Sequence, residues 1–394
     1  MPKSNPDEFF ETREDWSRRK HLILEHYLPP ATAKLRKASP DRRVVILDGF
    51  AGRGRYEDGT PGSPVQIGRL ADVVDGWKDP VNLRILNVEA SATNYAELQS
   101  ATETWVQQGI VTNYHAAFRS ALPAVLEEAR SSPIFAFLDP FRPTDLPFED
   151  IAPLLTRRNI TEILLVFHTP HVSRIISQVR PQAGTSEKTR ASSRETLNAI
   201  FGGNRWERFL TETPTPDGVI GCFVEGLAAK CQEYREPERP VFLCAHPIEA
   251  RFGKGLKYHV IFLTRHPDGI RLINDAFVKE RRDVHGRSAA HTGQTGLPFD
   301  EFGDPHDTTQ RPAHVRRTLI ETGRQVPARL WTFEQLMLMA MMQAFGQFGE
   351  TEYKQAAREL LNEVAPPRLV GLEGDKLKSG RWKVEDRLRL RVEL

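Results

Sequence analysis

The sequence has few cysteines, almost no excess charge and no long apolar run, and each absence excludes a class of protein. Its three cysteines, Cys222, Cys231 and Cys244, lack the Cys-x-x-Cys spacing of a metal site and cannot all pair in disulfides. Buried reduced thiols are therefore expected. The 54 basic and 52 acidic residues leave a net charge of +2, so bulk charge indicates no partner, and only local patches can.

No apolar stretch reaches the length of a membrane span, and the amino-terminal MPKSNPDEFFETRED lacks the apolar core of a signal peptide. We therefore expect a cytoplasmic protein with no membrane contact. The 394 residues, 39% hydrophobic and 27% charged, have an ordinary globular composition and suffice for two domains.

The most informative stretch is VVILDGFAGRGRY, residues 44–56. Four apolar residues predict a short strand that is buried on both faces, as in a parallel sheet. An acid ends this strand and a turn rich in small residues follows, which is where an open α/β sheet binds its ligand. The residues expected to contact this ligand are Asp48, Gly49, Phe50, Ala51, Gly52 and Gly54.

Three ligands compete for this turn. A dinucleotide fingerprint requires a third glycine where Glu57 stands, and a P-loop requires Lys and Ser/Thr where Arg55 and Tyr56 stand. The remaining candidate is S-adenosylmethionine, because the Asp-x-Phe-x-Gly-x-Gly turn resembles the first motif of Rossmann-like methyltransferases. A glycine turn in some other α/β protein is the alternative.

The next two predicted strands bear on the same ligand. The second, residues 83–89, ends in Glu89, and an acid here accepts hydrogen bonds from ribose hydroxyls in dinucleotide and adenosylmethionine folds. The third strand, residues 110–115, lacks the acid that usually contacts adenine. Ala117 and Phe118 occupy that place, so backbone groups and the Phe118 ring would have to recognise adenine.

The fourth predicted strand, residues 134–141, ends in Asp139-Pro140-Phe141. Enzymes that methylate amino groups have an Asp/Asn-Pro-Pro-aromatic tetrad here, in which the acid and a carbonyl orient the acceptor nitrogen and the ring stacks on a flipped base. Asp139, Pro140 and Phe141 are therefore the candidate catalytic residues, although one proline of the tetrad is missing. An ordinary turn after a strand is equally compatible.

The remaining strands complete a fold prediction. A fifth strand covers residues 162–168, and residues 241–248 and 258–264 form a closing antiparallel hairpin. This predicts an α/β, Rossmann-like class I methyltransferase sheet of seven strands in the order 3-2-1-4-5-7-6. A helix over residues 8–28, ended by Pro29-Pro30, precedes it, and Lys20, His21 and Tyr27 are more easily explained as parts of an amphipathic helix than as site residues.

The predicted domains are a methyltransferase-type domain (1–282) with a basic insertion (171–208), a linker (283–328) and a winged-helix-like domain (329–394). The insertion is interpreted either as a mobile basic lid or as a solvated segment. His285, His291, His306 and His314 lack zinc-site spacing, and no metal is predicted. Eight Lys/Arg from residue 368 to the end suggest a surface that contacts nucleic acid or protein.

These segments resemble the three-Cys-motif partner protein family, chiefly through LDGFAGRGRYEDGTPGSP, FLDPF and GKGLKYHVIFLTRHPDGIRL. The resemblance implies a Rossmann-like methyltransferase-type domain, S-adenosylmethionine as cofactor and a separate three-Cys-motif partner similar to radical-adenosylmethionine enzymes. It departs at Arg142, where the family commonly has glycine. The cysteines in the family name belong to the partner, so the three of this chain inherit no role.

Two functions follow. The first is an S-adenosylmethionine-dependent methyltransferase that acts on nucleic acid at a base nitrogen, with DNA or RNA bound through the basic insertion and the carboxyl-terminal domain. The second is a non-catalytic adaptor that keeps the sheet as a scaffold and delivers the partner to DNA or RNA; the incomplete tetrad and the missing third-strand acid favour it.

Overall fold

The structure, a computed structural model, describes residues 6–180, 184–233, 241–251, 254–292, 309–325 and 330–393. The chain divides into two compact units, residues 1–269 and 270–394. The first contains a seven-stranded sheet flanked by helices, and the second contains helices and a small three-stranded sheet. The first unit ends at residue 269, whereas the sequence analysis placed the end of the methyltransferase-type domain at residue 282.

The large sheet has the order β3-β2-β1-β4-β5-β7-β6, as the sequence predicts. The first five strands run parallel, whereas β7 is antiparallel to β5 and to β6. The strands are β1 (Arg43–Asp48), β2 (Asn82–Glu89), β3 (Val111–His115), β4 (Ile134–Leu138), β5 (Thr161–Phe167), β6 (Phe242–Arg251) and β7 (Lys254–Thr264). Every residue of β4 and β5 is buried, as expected for central strands covered on both faces.

The described residues of the first unit form eight α-helices, counted up to α8. They are α1 (Pro6–Leu35), α2 (Ser63–Asp75), α3 (Ala92–Gln107), α4 (Phe118–Glu128), α5 (Phe148–Leu155), α6 (Thr169–Val179), α7 (Glu187–Phe201) and α8 (Pro216–Glu233). Local sequence accounts for several starts: the Ser91 hydroxyl accepts the Asn94 N–H at the start of α3, and a proline opens α2.

Helix α1 continues through Pro29 and Pro30, where the sequence predicts its end. Proline removes a backbone donor and clashes with the preceding turn, which costs about 3 kcal/mol in a helix interior. Leu28, Ala31 and Leu35 are buried around these prolines. Burial of this apolar face offsets the lost hydrogen bonds, and it depends on tertiary packing that a local rule does not include.

The segment interpreted as a basic lid is instead a pair of packed helices. Val172 and Ile176 of α6 and Leu197 and Phe201 of α7 are buried in the same apolar core that covers the sheet. A short 3-10 helix, Arg205–Leu210, adds the buried Trp206. The basic residues therefore lie on the solvent side of amphipathic helices, and the lid interpretation is wrong for the described part of residues 171–208, which excludes 181–183.

The second unit contains α9 (Pro267–Thr292, which begins three residues before it), α10 (Arg311–Arg324), β8 (Trp331–Thr332), α11 (Phe333–Gln343), α12 (Glu350–Asn362), β9 (Arg368–Glu373) and β10 (Arg389–Glu393). Its sheet is antiparallel, in the order β8-β10-β9.

The predicted linker, residues 283–328, contains the end of α9 and all of α10. Val315 and Leu319 lie four residues apart on one face of α10 and are buried, and the buried Arg311 pairs with Glu352 of α12. This helix was missed because its few apolar residues stand among polar ones. Residues 293–308 and 326–328 of the predicted linker lie outside the described residues.

The three cysteines are buried free thiols, as predicted. In the described ranges no helix is long and apolar enough to cross a membrane. No group of three or more potential metal ligands occurs among these residues either, and the side chains of His285, His291 and His306 are not among those described.

Candidate active site

Four strand ends bring the predicted site residues to one edge of the sheet. β2, β1, β4 and β5 are consecutive parallel neighbours, so their carboxyl ends lie side by side. Asp48 ends β1 and Glu89 ends β2, while Asp139 directly follows β4 and His168 directly follows β5. The edge therefore carries three carboxyl groups and one imidazole.

The glycine turn after β1 is closely packed at Gly49 and has open space at Gly52. The Gly49 N–H donates to the Phe137 carbonyl at 2.9 Å, and a side chain at Gly49 would clash with Leu138 at 2.7 Å. Gly52 has a φ of +65°, and a Cβ built on it would meet no atom within 4 Å. The turn thus presents bare backbone to open space at Gly52, which suits close approach of a flat ligand.

Glu89 fixes the shape of this turn. One carboxylate oxygen accepts the Gly52 N–H at 2.9 Å, and the other accepts the Ser91 N–H at 2.7 Å. The Ala51 N–H donates to the Val88 carbonyl at 2.9 Å. Because a carboxylate oxygen has two lone pairs, each oxygen of Glu89 can accept one further hydrogen bond from a ligand.

Asp48 is fully buried. One oxygen lies 3.3 Å from the Phe50 N–H, and the other has no hydrogen-bond partner within 3.5 Å among the residues that the structure describes, although the Ser63 hydroxyl is close enough to this carboxyl to favour its ionised form. Burial raises the pKa of Asp48 to about 7, with smaller contributions from Asp139 and Glu89, while the Ser63 hydroxyl and the Phe50 N–H act in the opposite direction. Asp139 and Glu89 therefore each lie within electrostatic range of Asp48.

Asp139 does not stand alone: it forms a salt bridge with Lys20 of α1, whose side chain is 7% exposed against 23% for Asp139. The Lys20 Nζ also lies 5.5 Å from the centre of the buried Tyr258 ring. His21, the next residue on α1, is buried, and burial together with Lys20 lowers its pKa to about 4, against the opposing effect of Asp139.

His168 occupies the turn on the other side. Its Nε2 lies 3.0 Å from the Pro140 carbonyl oxygen. Because a carbonyl only accepts, this contact requires the proton on Nε2 and leaves Nδ1 as an acceptor. Burial lowers the pKa of His168, opposed by Asp139 and Pro140, so the ring is neutral near pH 7.

Of the other predicted site residues, Phe118 is packed in the core, whereas Ala117 and Phe141 are exposed to solvent. Phe118 is buried, and its ring stacks on Phe50 with 5.5 Å between centroids. It therefore supports the glycine turn from below. Ala117 is exposed where α4 begins, and Phe141 is 84% exposed.

Neither Lys20, which the sequence analysis explained as part of an amphipathic helix, nor His168 was among the predicted site residues. A signal for Lys20 existed, because it falls in the stripe formed with Ile23, Leu24 and Tyr27, which are all buried. A lysine at a position that helical spacing assigns to the core requires a buried acidic partner. The identity of that partner, 119 residues away, is decided by the fold.

The strand order and the site at the strand ends define a Rossmann-like class I methyltransferase fold. No protein-family model matches this sequence, and no curated protein matches it.

Solved structures with similar architecture include three methyltransferases. The O-methyltransferase from Bacillus cereus, in complex with SAH, is 14% identical, with 60% of this chain and 79% of that chain covered and a TM-score of 0.29. The O-methyltransferase TomG from Streptomyces achromogenes, in complex with SAM, is 14% identical, with 62% and 79% covered and a TM-score of 0.31. The geranyl diphosphate C-methyltransferase from Streptomyces coelicolor is 11% identical, with 60% and 79% covered and a TM-score of 0.23. At these scores the matches carry no functional argument, and the fold assignment rests on strand order.

Proposed function

We propose that the first unit is an S-adenosylmethionine-dependent methyltransferase. The observation that carries the proposal is the fully buried carboxyl of Asp48, which has one oxygen without a hydrogen-bond partner within 3.5 Å in the described chain and ends the strand that leads into the open turn at Gly52. An unsatisfied buried acceptor is costly, and a ligand with a cationic donor would satisfy it. The methionine ammonium of S-adenosylmethionine is such a donor.

The charge of the site supports this cofactor over a dinucleotide. Glu89 contacts the turn, Asp48 precedes it and is only partly protonated at pH 7, and Lys20 compensates Asp139 alone, so the remaining negative charge would repel a pyrophosphate. S-adenosylmethionine instead has a cationic ammonium and a cationic sulfonium. Glu89 retains lone pairs for the ribose hydroxyls, and the exposed backbone at Ala117 is where we expect adenine.

When bound, the cofactor supplies an electrophilic methyl group, and the chain positions the acceptor. Asp139 is partly exposed, so its carboxylate is accessible to an acceptor hydrogen. Lys20 holds this carboxylate in one orientation, and His168 orients the Pro140 carbonyl beside it. We assign Asp139 the role of orienting the acceptor, with Lys20 and His168 as positioning residues.

We further propose that the substrate is nucleic acid, methylated at a base nitrogen, and that the second unit helps to bind it. The second unit contains the helices α10, α11 and α12 and an antiparallel sheet in the order β8-β10-β9, and these support our proposal of a winged-helix-like unit in which β9, β10 and their connection form the wing. Lys378, Arg381 and Arg387 on this hairpin are exposed and form no ion pair with any residue that the structure describes. Such a cationic wing is complementary to a phosphate backbone.

The resemblance to three-Cys-motif partner proteins adds a protein partner to this proposal, a three-Cys-motif protein similar to radical-adenosylmethionine enzymes. Such a complex belongs in the reducing cytoplasm, where the three buried thiols of this chain stay reduced.

An adaptor without catalysis is the second candidate function. It is favoured by the occupied acceptors of the Asp-Pro-Phe turn, since Lys20 already bonds to Asp139 and His168 to Pro140. An acceptor amine would need those same oxygens.

Replacing Gly52 with alanine is expected to weaken S-adenosylmethionine binding at least tenfold while costing about 1 kcal/mol of stability, since a left-handed alanine is strained by roughly that amount. The matched control is Gly59→Ala: Gly59 has a φ of +81° and equally open surroundings, but lies in the exposed loop after the turn. Calorimetric titration with S-adenosylmethionine and thermal unfolding measure both effects. Equal affinities of the two variants, or absence of binding by the unaltered protein, would refute the cofactor assignment and leave the adaptor.

The triple variant Lys378→Glu/Arg381→Glu/Arg387→Glu reverses three wing charges. It is expected to make the negative slope of log K against log salt shallower by about 2.7 for duplex DNA, at roughly 0.9 per phosphate contact. Fluorescence anisotropy with a labelled 20-base-pair duplex measures this slope. Arg317→Glu/Arg324→Glu, two exposed arginines of α10 in the same unit, serves as control. If the control and the wing variant change the slope equally, the wing has no specific role.

A further inference from the structure

Helix α1 contacts the turns after β1 and β4 through two consecutive residues. Lys20 pairs with Asp139, which directly follows β4. The His21 ring lies 6.0 Å from the ring of Tyr56, measured between centroids, and Tyr56 belongs to the loop that continues the glycine turn after β1. Because β1 and β4 are neighbours in the sheet, the two turns flank one crevice. His21 therefore borders this crevice on the side of β1.

The loop that contains Tyr56 is anchored to the glycine turn. The Gly62 N–H donates to the Gly54 carbonyl at 2.8 Å, and the Tyr56 N–H donates to the Thr60 carbonyl at 2.9 Å. Gly54 is the last glycine of the turn that we expect to contact the cofactor. The aromatic neighbour of His21 is thus part of the candidate site and not of a distant surface loop.

His21 is 8% exposed, and its ring forms no hydrogen bond with any residue that the structure describes. A buried polar ring without a partner costs free energy, and buried polar groups normally have one. The amphipathic spacing of α1 explains why this position is buried but not why it holds a histidine, because an apolar side chain would fill it at lower cost. A ligand in the crevice would supply the missing partner.

The other polar groups around Asp139 are already engaged. The Asp139 carboxylate accepts a hydrogen bond from Lys20, and one nitrogen of His168 is bonded to the Pro140 carbonyl. Burial and the charge of Lys20 lower the pKa of His21 to about 4, opposed by Asp139. The His21 ring is therefore neutral near pH 7, and a neutral imidazole has one nitrogen that can accept a proton.

We propose that His21 accepts the proton that the acceptor nitrogen releases during methyl transfer. The inference rests on the proposed function and adds a base to that same site. The acceptor nitrogen, oriented by Asp139, forms a bond to the methyl carbon while the carbon–sulfur bond breaks and leaves its electron pair on sulfur. The nitrogen then has one proton in excess, which moves to a His21 ring nitrogen and from there to water.

A base of this kind selects the class of acceptor. The lone pair of an amino group on an aromatic ring is delocalised, so its protonated form is a strong acid. Such an acid releases its proton even to an imidazole whose pKa is about 4. A hydroxyl group loses its proton only to a much stronger base. The site therefore suits the exocyclic amino group of a nucleic-acid base and not an alcohol.

His21→Phe keeps an aromatic ring beside Tyr56 and fills the buried position, but cannot accept a proton. We expect transfer of labelled methyl groups from S-adenosylmethionine to total RNA or DNA to fall about 10²- to 10⁴-fold, the usual contribution of a general base. Affinity for S-adenosylmethionine, measured by calorimetric titration, should stay within about twofold. His26→Gln is the matched control, because His26 lies on the same helix about 140° around its axis from His21. This control is expected to keep full transfer.

His21→Ala tests the proton transfer by chemical rescue. Imidazole added to the buffer is expected to raise the transfer rate of this variant at least about tenfold. Pyrazole is a ring of the same size but a much weaker base, so it should fill the same space without restoring the rate. This comparison distinguishes a base from a side chain that only packs against Tyr56.

Unchanged transfer by His21→Phe, or equal rescue by imidazole and pyrazole, would overturn the role of His21 and leave the methyltransferase assignment intact. Absence of transfer to both RNA and DNA by the unaltered protein would overturn the proposed substrate and this inference together. Failure of the cofactor assignment is recognised independently, by the titration with S-adenosylmethionine.

Discussion

Asp48→Asn is expected to stabilise the ligand-free protein above pH 7 and to abolish S-adenosylmethionine binding. Burial raises the pKa of Asp48 from 3.8 to about 7. A raised carboxyl pKa means that the folded state favours the protonated form, so stability from this group is complete below pH 4 and is lost as pH rises through 7. Asparagine has the same shape as protonated aspartic acid but cannot ionise.

The size of the effect follows from the difference in pKa. Each pKa unit corresponds to about 1.4 kcal/mol, so the raised pKa lowers the stability of the fold by up to roughly 4 kcal/mol at pH 8, where Asp48 ionises in both states, and by roughly 2 kcal/mol at pH 5, where it is protonated in the folded state and ionised in the unfolded state. The advantage of Asp48→Asn should therefore grow by about 2 kcal/mol between these pH values. Urea unfolding of both proteins at pH 5 and pH 8 measures it.

The same group predicts proton release when the cofactor binds. At pH 6 most of Asp48 is protonated in the free protein, and an ammonium beside it would favour the ionised form. Titration calorimetry in two buffers of different ionisation enthalpy should then detect close to one proton released per bound molecule. Glu162→Gln is the control: burial also raises the pKa of Glu162, but this residue contacts Tyr27 and Thr264 and is not expected to affect the cofactor. Unchanged affinity in Asp48→Asn would contradict the assignment.

Asp139→Leu is expected to abolish methyl transfer, by a factor of at least 10³, and to destabilise the protein. Removal of one partner of a buried ion pair costs about 3 kcal/mol, because the other charge loses its compensation. A single variant therefore cannot distinguish loss of chemistry from loss of structure. The double variant Lys20→Met/Asp139→Leu removes both charges and should recover most of the lost stability.

Three measurements on the double variant distinguish a catalytic role of Asp139 from a structural one. We expect S-adenosylmethionine affinity within about twofold of the unaltered protein in the double variant, unfolding free energy restored, and no transfer of labelled methyl groups to total RNA or DNA. Lys20→Met alone should keep some transfer, because Asp139 remains but is less well oriented. Full activity of the double variant would mean that Asp139 has only a structural role.

Much of the first unit is predictable because its signals are local. Buried parallel strands are continuous apolar runs, acids mark their carboxyl ends, and a glycine turn follows β1. The rule that such ends share one edge then brings Asp48, Glu89 and Asp139 together without any knowledge of side-chain contacts. The seven-stranded order was predicted correctly from the likeness of these strands and the closing hairpin to the methyltransferase architecture.

The errors have a common physical origin. The continuation of α1 through Pro29 and Pro30, the packed helices of the basic segment and helix α10 in the predicted linker each depend on burial against distant residues. The local sequence pattern did not predict any of these three features. The apolar positions that decide them are few and separated by charged residues, so a pattern read along the chain underestimates them.

The sequence by itself determined the sheet, the glycine turn and the acids at the strand ends, because these depend on spacing within one segment and on the fixed direction of parallel strands. Only the tertiary structure decided the charge state of Asp48, the pairing of Asp139 with Lys20 and the contact of His168 with Pro140. The reason is that a pKa and an ion pair depend on water exclusion and on neighbours from remote segments, and folding establishes both.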